Sequence, residues 1–113
     1  MSAGEWVREF TAEVMVCDRT GIAVEMNDEA AVLFAGDGGR GLLGSNIRDC
    51  HPDPARGKLE SLLAGQTTNA YFSTEHEEKR FFYQAPWFQD GQFAGMVEVS
   101  FVVPQDIPHF IRD

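Results

Sequence analysis

No stretch of this 113-residue chain approaches the roughly 18 consecutive apolar residues that a helix needs to cross a bilayer. Its opening, Glu5 to Phe10, mixes charge with aromatics and does not read as a secretory signal. Cysteine is scarce. Cys17 and Cys50 are the two, and without a secretory signal they read as reduced thiols, which gives a cytoplasmic location as the expectation. Positive charge is scarce as well: nine Lys and Arg stand against 18 Asp and Glu, a net charge of -9. Such a surface repels phosphate backbones and anionic headgroups, so neither nucleic acid nor membrane is expected as a partner. There is no C-x-x-C or H-x-x-x-H spacing, so no metal site is expected, and the missing C-x-x-C-H excludes covalent haem attachment. Internal repeats and low-complexity segments are absent too.

What is present is a globular composition, 43% hydrophobic and 12% aromatic with nine Phe, at a length that fits one domain. Phe93 to Val103 reads as a long strand whose two faces are both largely apolar. Phe93, Val97, Val99, Phe101 and Val103 fall on one face, and Ala94, Met96, Glu98, Ser100 and Val102 on the other. A strand needing cover on both faces belongs in the middle of a sheet. Asp90-Gly91 joins it as a hairpin to an aromatic-rich strand, Lys79 to Phe88. Pro86 there cannot donate to a ladder, so it is expected at a bulge or beyond the end of a shorter neighbour.

The remaining elements follow in chain order. Ser2-Ala3-Gly4-Glu5 fits a capping box, and Trp6, Val7 and Phe10 then share a face of a short helix from Ala3 to Phe10. Too short to stand alone, that helix must dock on the domain or on a second chain. Ala12–Cys17 and Ile22–Met26 form a hairpin around Asp18-Arg19-Thr20-Gly21. Asn27 caps a helix from Asp28 to about Ala35. Gly36-Asp37-Gly38-Gly39-Arg40-Gly41 contains G-x-G-x-x-G but follows a helix rather than a strand, and reads as a surface loop. Leu42 to Asp49 gives one or two helical turns. Asp53 and Pro54 then read as N-cap and first residue of a helix running to Ala64 and stopping at Gly65. Asn69–Thr74 is a strand, Glu75–Glu78 a polar turn. The sum is an α+β domain with helices on one face of an antiparallel sheet. Its parts are an amino-terminal helix (1–11), the domain (12–103) and a proline-punctuated tail (104–113).

The strand pair around Asp18-x-x-Gly21, the Asn27 cap before a short helix, and the Asp90-Gly91-x-x-x-Gly95 hairpin together resemble a PAS domain, from about Glu5 to Val103. Asp49-Cys50-His51-Pro52 followed by Lys58-Leu59-x-x-Leu62-Leu63 is similar to a bacterial PAS subgroup, some of whose members stand alone or end longer sensor proteins. The resemblance implies five strands in the order 2-1-5-4-3. It also implies a sensory, non-enzymatic role in signal transduction. Family members bind haem, flavin or metabolites between sheet and helices, or serve as dimerisation modules. With no kinase, cyclase or DNA-binding segment in the sequence, the expected output is a signalling partner protein or the domain's own homodimer.

The candidate site residues are His51, Cys50, Phe34, Tyr83, Trp87 and Glu98 for a ligand, and Trp6, Val7 and Phe10 for the dimer interface. His51 reads either as a histidine bonded to backbone or as a pocket contact or haem ligand. Glu98, a carboxylate in a central strand, must be paired, solvated or in a polar cavity. Asp49-Cys50-His51 has the residue types of a nucleophilic triad, but adjacent side chains diverge, so no catalytic residue is assigned. Two alternatives stand beside the sensor: a small cavity protein with isomerase-like activity, using Glu98 and Tyr83, and a pure interaction scaffold with a filled core.

Overall fold

A computed structural model describes residues 4–113, with the side chain of Cys50 excepted. Three α-helices, α1 (Glu5–Arg8), α2 (Asp28–Leu33) and α3 (Ala55–Gly65), accompany five strands: β1 (Glu13–Asp18), β2 (Ala23–Met26), β3 (Asn69–Glu75), β4 (Glu78–Gln89) and β5 (Gln92–Val102). Short 3-10 turns at Ala35–Asp37, Gly39–Leu42 and Ile47–Cys50 fill the stretch between α2 and α3. The strands form one antiparallel sheet in the order β2-β1-β5-β4-β3. The strand that is apolar on both faces, β5, lies at its centre, as a strand needing cover on both faces should.

Local chemistry sets the hairpins. Asp90 and Gly91 both take positive φ (52° and 78°), as do His76 and Glu77 (53° and 66°), the backbone of two-residue turns whose twist matches that of the flanking strands. At the β1–β2 turn, Asp18 Oδ1 accepts from the amides of Thr20 and Ile22 (2.9 and 3.0 Å). Pro86 sits two residues past Gln84, the last residue of β4 paired with β3, so its missing N–H leaves no gap in that ladder.

Asn27 does more than cap α2. Its Oδ1 accepts from the amides of Ala30 and Val14 (3.0 Å each). Its Nδ2 donates to the carbonyls of Val7 (3.0 Å) and Ala12 (2.8 Å). One buried carboxamide thus joins α1, β1 and α2.

The structure corrects several expectations. The helix α1 spans only Glu5–Arg8 with Gly4 at its N-cap, and the Ser2 capping box lies outside the described residues. Asp53 does not cap α3. The amide of Arg56 is taken by the carbonyl of Pro52 (3.2 Å), so the chain's own turn serves the first helical turn. Gly65 is the last helical residue, and Gln66 takes the left-handed position after it (φ 53°). In β5 the simple alternation fails at its start. Trp87 pairs with Gly95 but Phe88 with Phe93, a register slip that carries Phe93 to the helix side, where it packs on Cys17, Leu62, Leu63 and Met96. The helices therefore cover the face that bears Met96, Glu98 and Ser100. The face of Val97, Val99 and Phe101 is the outer one and is only partly covered.

Candidate functional site

Between the sheet and the helical arm lies a cavity of about 540 Å³. Period-two alternation decides which strand residues reach it: Met15 and Cys17 from β1, Asn69 and Tyr71 from β3, Phe82 and Gln84 from β4, Met96 and Glu98 from β5. The opposite wall comes from Phe34 at the end of α2, from Leu42 and Ile47 in the connecting turns, and from Leu59 and Leu62 of α3. Most of this lining is apolar; Asn69, Tyr71, Gln84 and Glu98 are its polar side chains on the sheet, and Asp37, Ser45, His51 and Lys58 those on the other side.

Asn69, Gln84 and Glu98 are chained. Asn69 Nδ2 donates to Gln84 Oε1 (2.9 Å), and Gln84 Nε2 donates to Glu98 Oε2 (2.6 Å). Behind them, Glu13 is 1% exposed. Ser100 Oγ donates to Glu13 Oε1 (2.6 Å), and Arg80 Nη1 donates to Ser100 Oγ (3.0 Å). The other Glu13 oxygen, Oε2, meets no N–H or hydroxyl donor. Burial, then the charge of Glu98, push the Glu13 carboxyl up to about 9. Glu13 is thus the proton-bearing partner of an acid pair at neutral pH. Tyr71 stacks on Phe82 with ring centroids 4.9 Å apart, and burial followed by the charges of Glu98 and Glu13 raises its phenol. Burial likewise pushes the Cys17 thiol up, which makes it a poor nucleophile.

The candidate residues read from sequence separate into three groups. His51, Phe34 and Glu98 all line the cavity. His51 stands exposed at its mouth, with Nδ1 bonded to the carbonyl of Ile47 (2.6 Å), which leaves Nε2 free. Tyr83 and Trp87 do not line it. As odd-numbered residues of β4 they project from the outer face, where Tyr83 is half-exposed and the Trp87 indole N–H donates to the Cys17 carbonyl (3.0 Å). The side chain of Cys50 lies outside the described atoms. Glu13, Asn69, Tyr71 and Gln84 were not singled out from sequence. Glu13 was detectable, since alternation puts it on the same side of β1 as Met15 and Cys17. Among the described residues, no three His, Cys, Asp or Glu side chains gather as metal ligands, and no helix is long and apolar enough to cross a membrane.

No family model and no curated protein sequence matches the chain. Solved structures do. The PAS domain of BvgS from Bordetella pertussis is similar over 88% of this chain and 82% of its own, at 19% identity and a TM-score of 0.67. The chain folds as a PAS domain. The PAS domain of the histidine kinase ThkA matches over 79% of this chain and 96% of its own (18% identity, TM-score 0.63). The Aer2 receptor from Vibrio cholerae, described as a dual PAS-haem oxygen sensor, matches over 83% and 96% (16% identity, TM-score 0.60). The sheet order and the central β5 agree with the resemblance seen in the sequence.

Proposed function

We propose that this PAS domain is a non-enzymatic sensor that holds a small molecule between its sheet and its helices and passes occupancy to a partner protein or a second copy. The observation that carries the reading is the cavity itself. A cleft of about 540 Å³ with a largely apolar lining and a few polar side chains is the form that small-molecule sites take. That similar domains are named as parts of sensor kinases and receptors supports the sensory role. The isomerase-like alternative paired Glu98 with Tyr83, and those two side chains stand on opposite faces of the sheet. Haem suits this cavity poorly. It asks for an axial ligand aimed at the iron, whereas the one histidine in the lining is exposed at the mouth and the sheet end carries acids. A small metabolite fits better.

Native mass spectrometry of the purified protein, with a thermal-shift screen of metabolites, tests the reading. A bound mass or a stabilising metabolite is expected, and Leu59→Trp, which fills the cavity, should abolish it while the circular dichroism spectrum is kept. Protein that carries no added mass and responds to no metabolite overturns the reading.

The second copy is proposed to meet the domain through α1. Trp6 is 69% exposed and Phe10 44%, with their rings edge to face at 5.7 Å. Exposed aromatics of this kind favour an interface. Val7 is not part of it, because at 5% exposure it is the residue that docks α1 on its own domain. Trp6→Glu should give a monomer by sedimentation velocity. A wild-type protein already monomeric at high concentration removes the dimer.

A further inference from the structure

The walls of the cavity and its sheet end demand different parts of a ligand. Along the helical wall, Phe34, Ile47, Leu59 and Leu62 offer no side-chain hydrogen bond. At the sheet end the side chains are linked to one another. Asn69 gives its amide to Gln84, and Gln84 gives its own to Glu98. Acceptor capacity is left over. A carboxylate has about four acceptor positions, and Glu98 uses one for Gln84.

Charge points the same way. The ion pairs among the described residues leave Glu98 out. Arg80, the cation on the sheet nearest this network, is bonded to Ser100 on the far side of Glu13. Lys58 and His51 line the cavity from α3 and its approach, and Asp37 adds a further acid from the connecting turns. A carboxylate in a largely apolar cavity without a cation beside it is costly. The neighbouring Tyr71 and Phe82 form a stacked pair at the same end, and aromatic faces attract cations.

We propose that the cavity takes a small organic cation, an amine carried on an aromatic or aliphatic frame, with its nitrogen against Glu98 and its frame between the apolar walls. This rests on the ligand-binding reading above and gives that ligand a charge. Anions are disfavoured at the sheet end by the Glu98 carboxylate. Gln84 holds the Glu98 carboxylate in place through its hydrogen bond to Oε2 (2.6 Å).

Three probes on one frame test the proposal: 2-phenylethylamine, 2-phenylethanol and 3-phenylpropionate, each titrated into the full chain and followed by amide chemical shifts at Leu62 and Met96. The amine should bind at least tenfold more tightly than the alcohol, and the acid most weakly. Glu98→Gln, with its melting temperature checked against wild type, should bring the amine down to the level of the alcohol. If the alcohol binds and the amine binds no better, or if Glu98→Gln keeps the tenfold preference, the cation proposal is overturned while the cavity reading stands. If none of the three probes shifts these amides, the cavity reading fails and takes the cation with it.

Discussion

Replacing Asn27 tests the join between α1, β1 and α2 most directly. The carboxamide is 3% exposed and makes four hydrogen bonds, two accepted and two donated. Losing the cap of α2 costs about 1 kcal/mol. Losing the two donated bonds costs about 1 kcal/mol each, and more if the Val7 and Ala12 carbonyls stay buried without partners. Asn27→Ala should therefore destabilise by about 3–5 kcal/mol. Asn27→Asp separates the contributions. It keeps an oxygen to accept from Ala30 and Val14 but turns a second oxygen toward two carbonyl oxygens. At pH 7 it should be no more stable than Asn27→Ala, and it should recover part of the loss at low pH, where a protonated carboxyl donates once. Urea denaturation followed by circular dichroism gives both numbers. At about 4 °C per kcal/mol for a domain of this size, Asn27→Ala should melt about 12–20 °C lower. An aspartate variant as stable as wild type at pH 7 would show that the two donations contribute nothing.

Glu13 should make stability fall as pH rises. Its folded pKa lies near 9, above the ordinary glutamate value of 4.5, so between those limits the folded state holds a proton that the unfolded state has released. The contribution of Glu13 is complete below about pH 4.5 and is lost progressively toward pH 9; Glu13→Gln should flatten that slope, and parallel wild-type and variant profiles of urea midpoint against pH would refute the assignment. Gly95→Ala should cost at least about 3 kcal/mol or prevent folding, because φ is 149° and a Cβ there would lie 1.9 Å from the Cys17 carbonyl oxygen; a thermal melt within a few degrees of wild type would show that β1 can move away. Gln66→Gly should stabilise by up to about 1 kcal/mol by relieving a left-handed φ of 53°, while Asp53→Ala should change the denaturation midpoint by no more than about 0.5 kcal/mol, since it caps nothing.

Much of the architecture was legible because it rests on local chemistry. Asp90-Gly91, the Asp18 turn and the Asn27 cap each announce themselves within a few residues, and the two-sided strand β5 announces its central place. Features that depend on pairing were not legible. The slip between Trp87 and Phe88 moves Phe93 across the sheet, and no residue type marks it beforehand. The end of α3 was read one residue early because Gln66, rather than a glycine, took the left-handed position. For the site, His51, Phe34 and Glu98 reach the cavity, yet the aromatics chosen from β4 were those of the wrong parity. Phe82 and Gln84 face inward where Tyr83 and Trp87 face outward. The Glu13–Glu98 pair escaped notice because it joins β1 to β5, and only the pairing of Glu13 with Ser100 brings the two acids together.

Trp87 also gives the domain a built-in optical gauge. Its indole reaches from the outer face of β4 to the Cys17 carbonyl, across a strand position where Gly95 offers no side chain. The thiol of that same Cys17 lines the cavity. A molecule that presses on β1 from within therefore alters the hydrogen bond of a fluorophore it never touches. The other tryptophan, Trp6, is 69% exposed, so an aqueous quencher such as acrylamide silences it first. The emission that survives belongs to the Trp87 indole, and under the ligand-binding proposal its wavelength should report occupancy with no label attached.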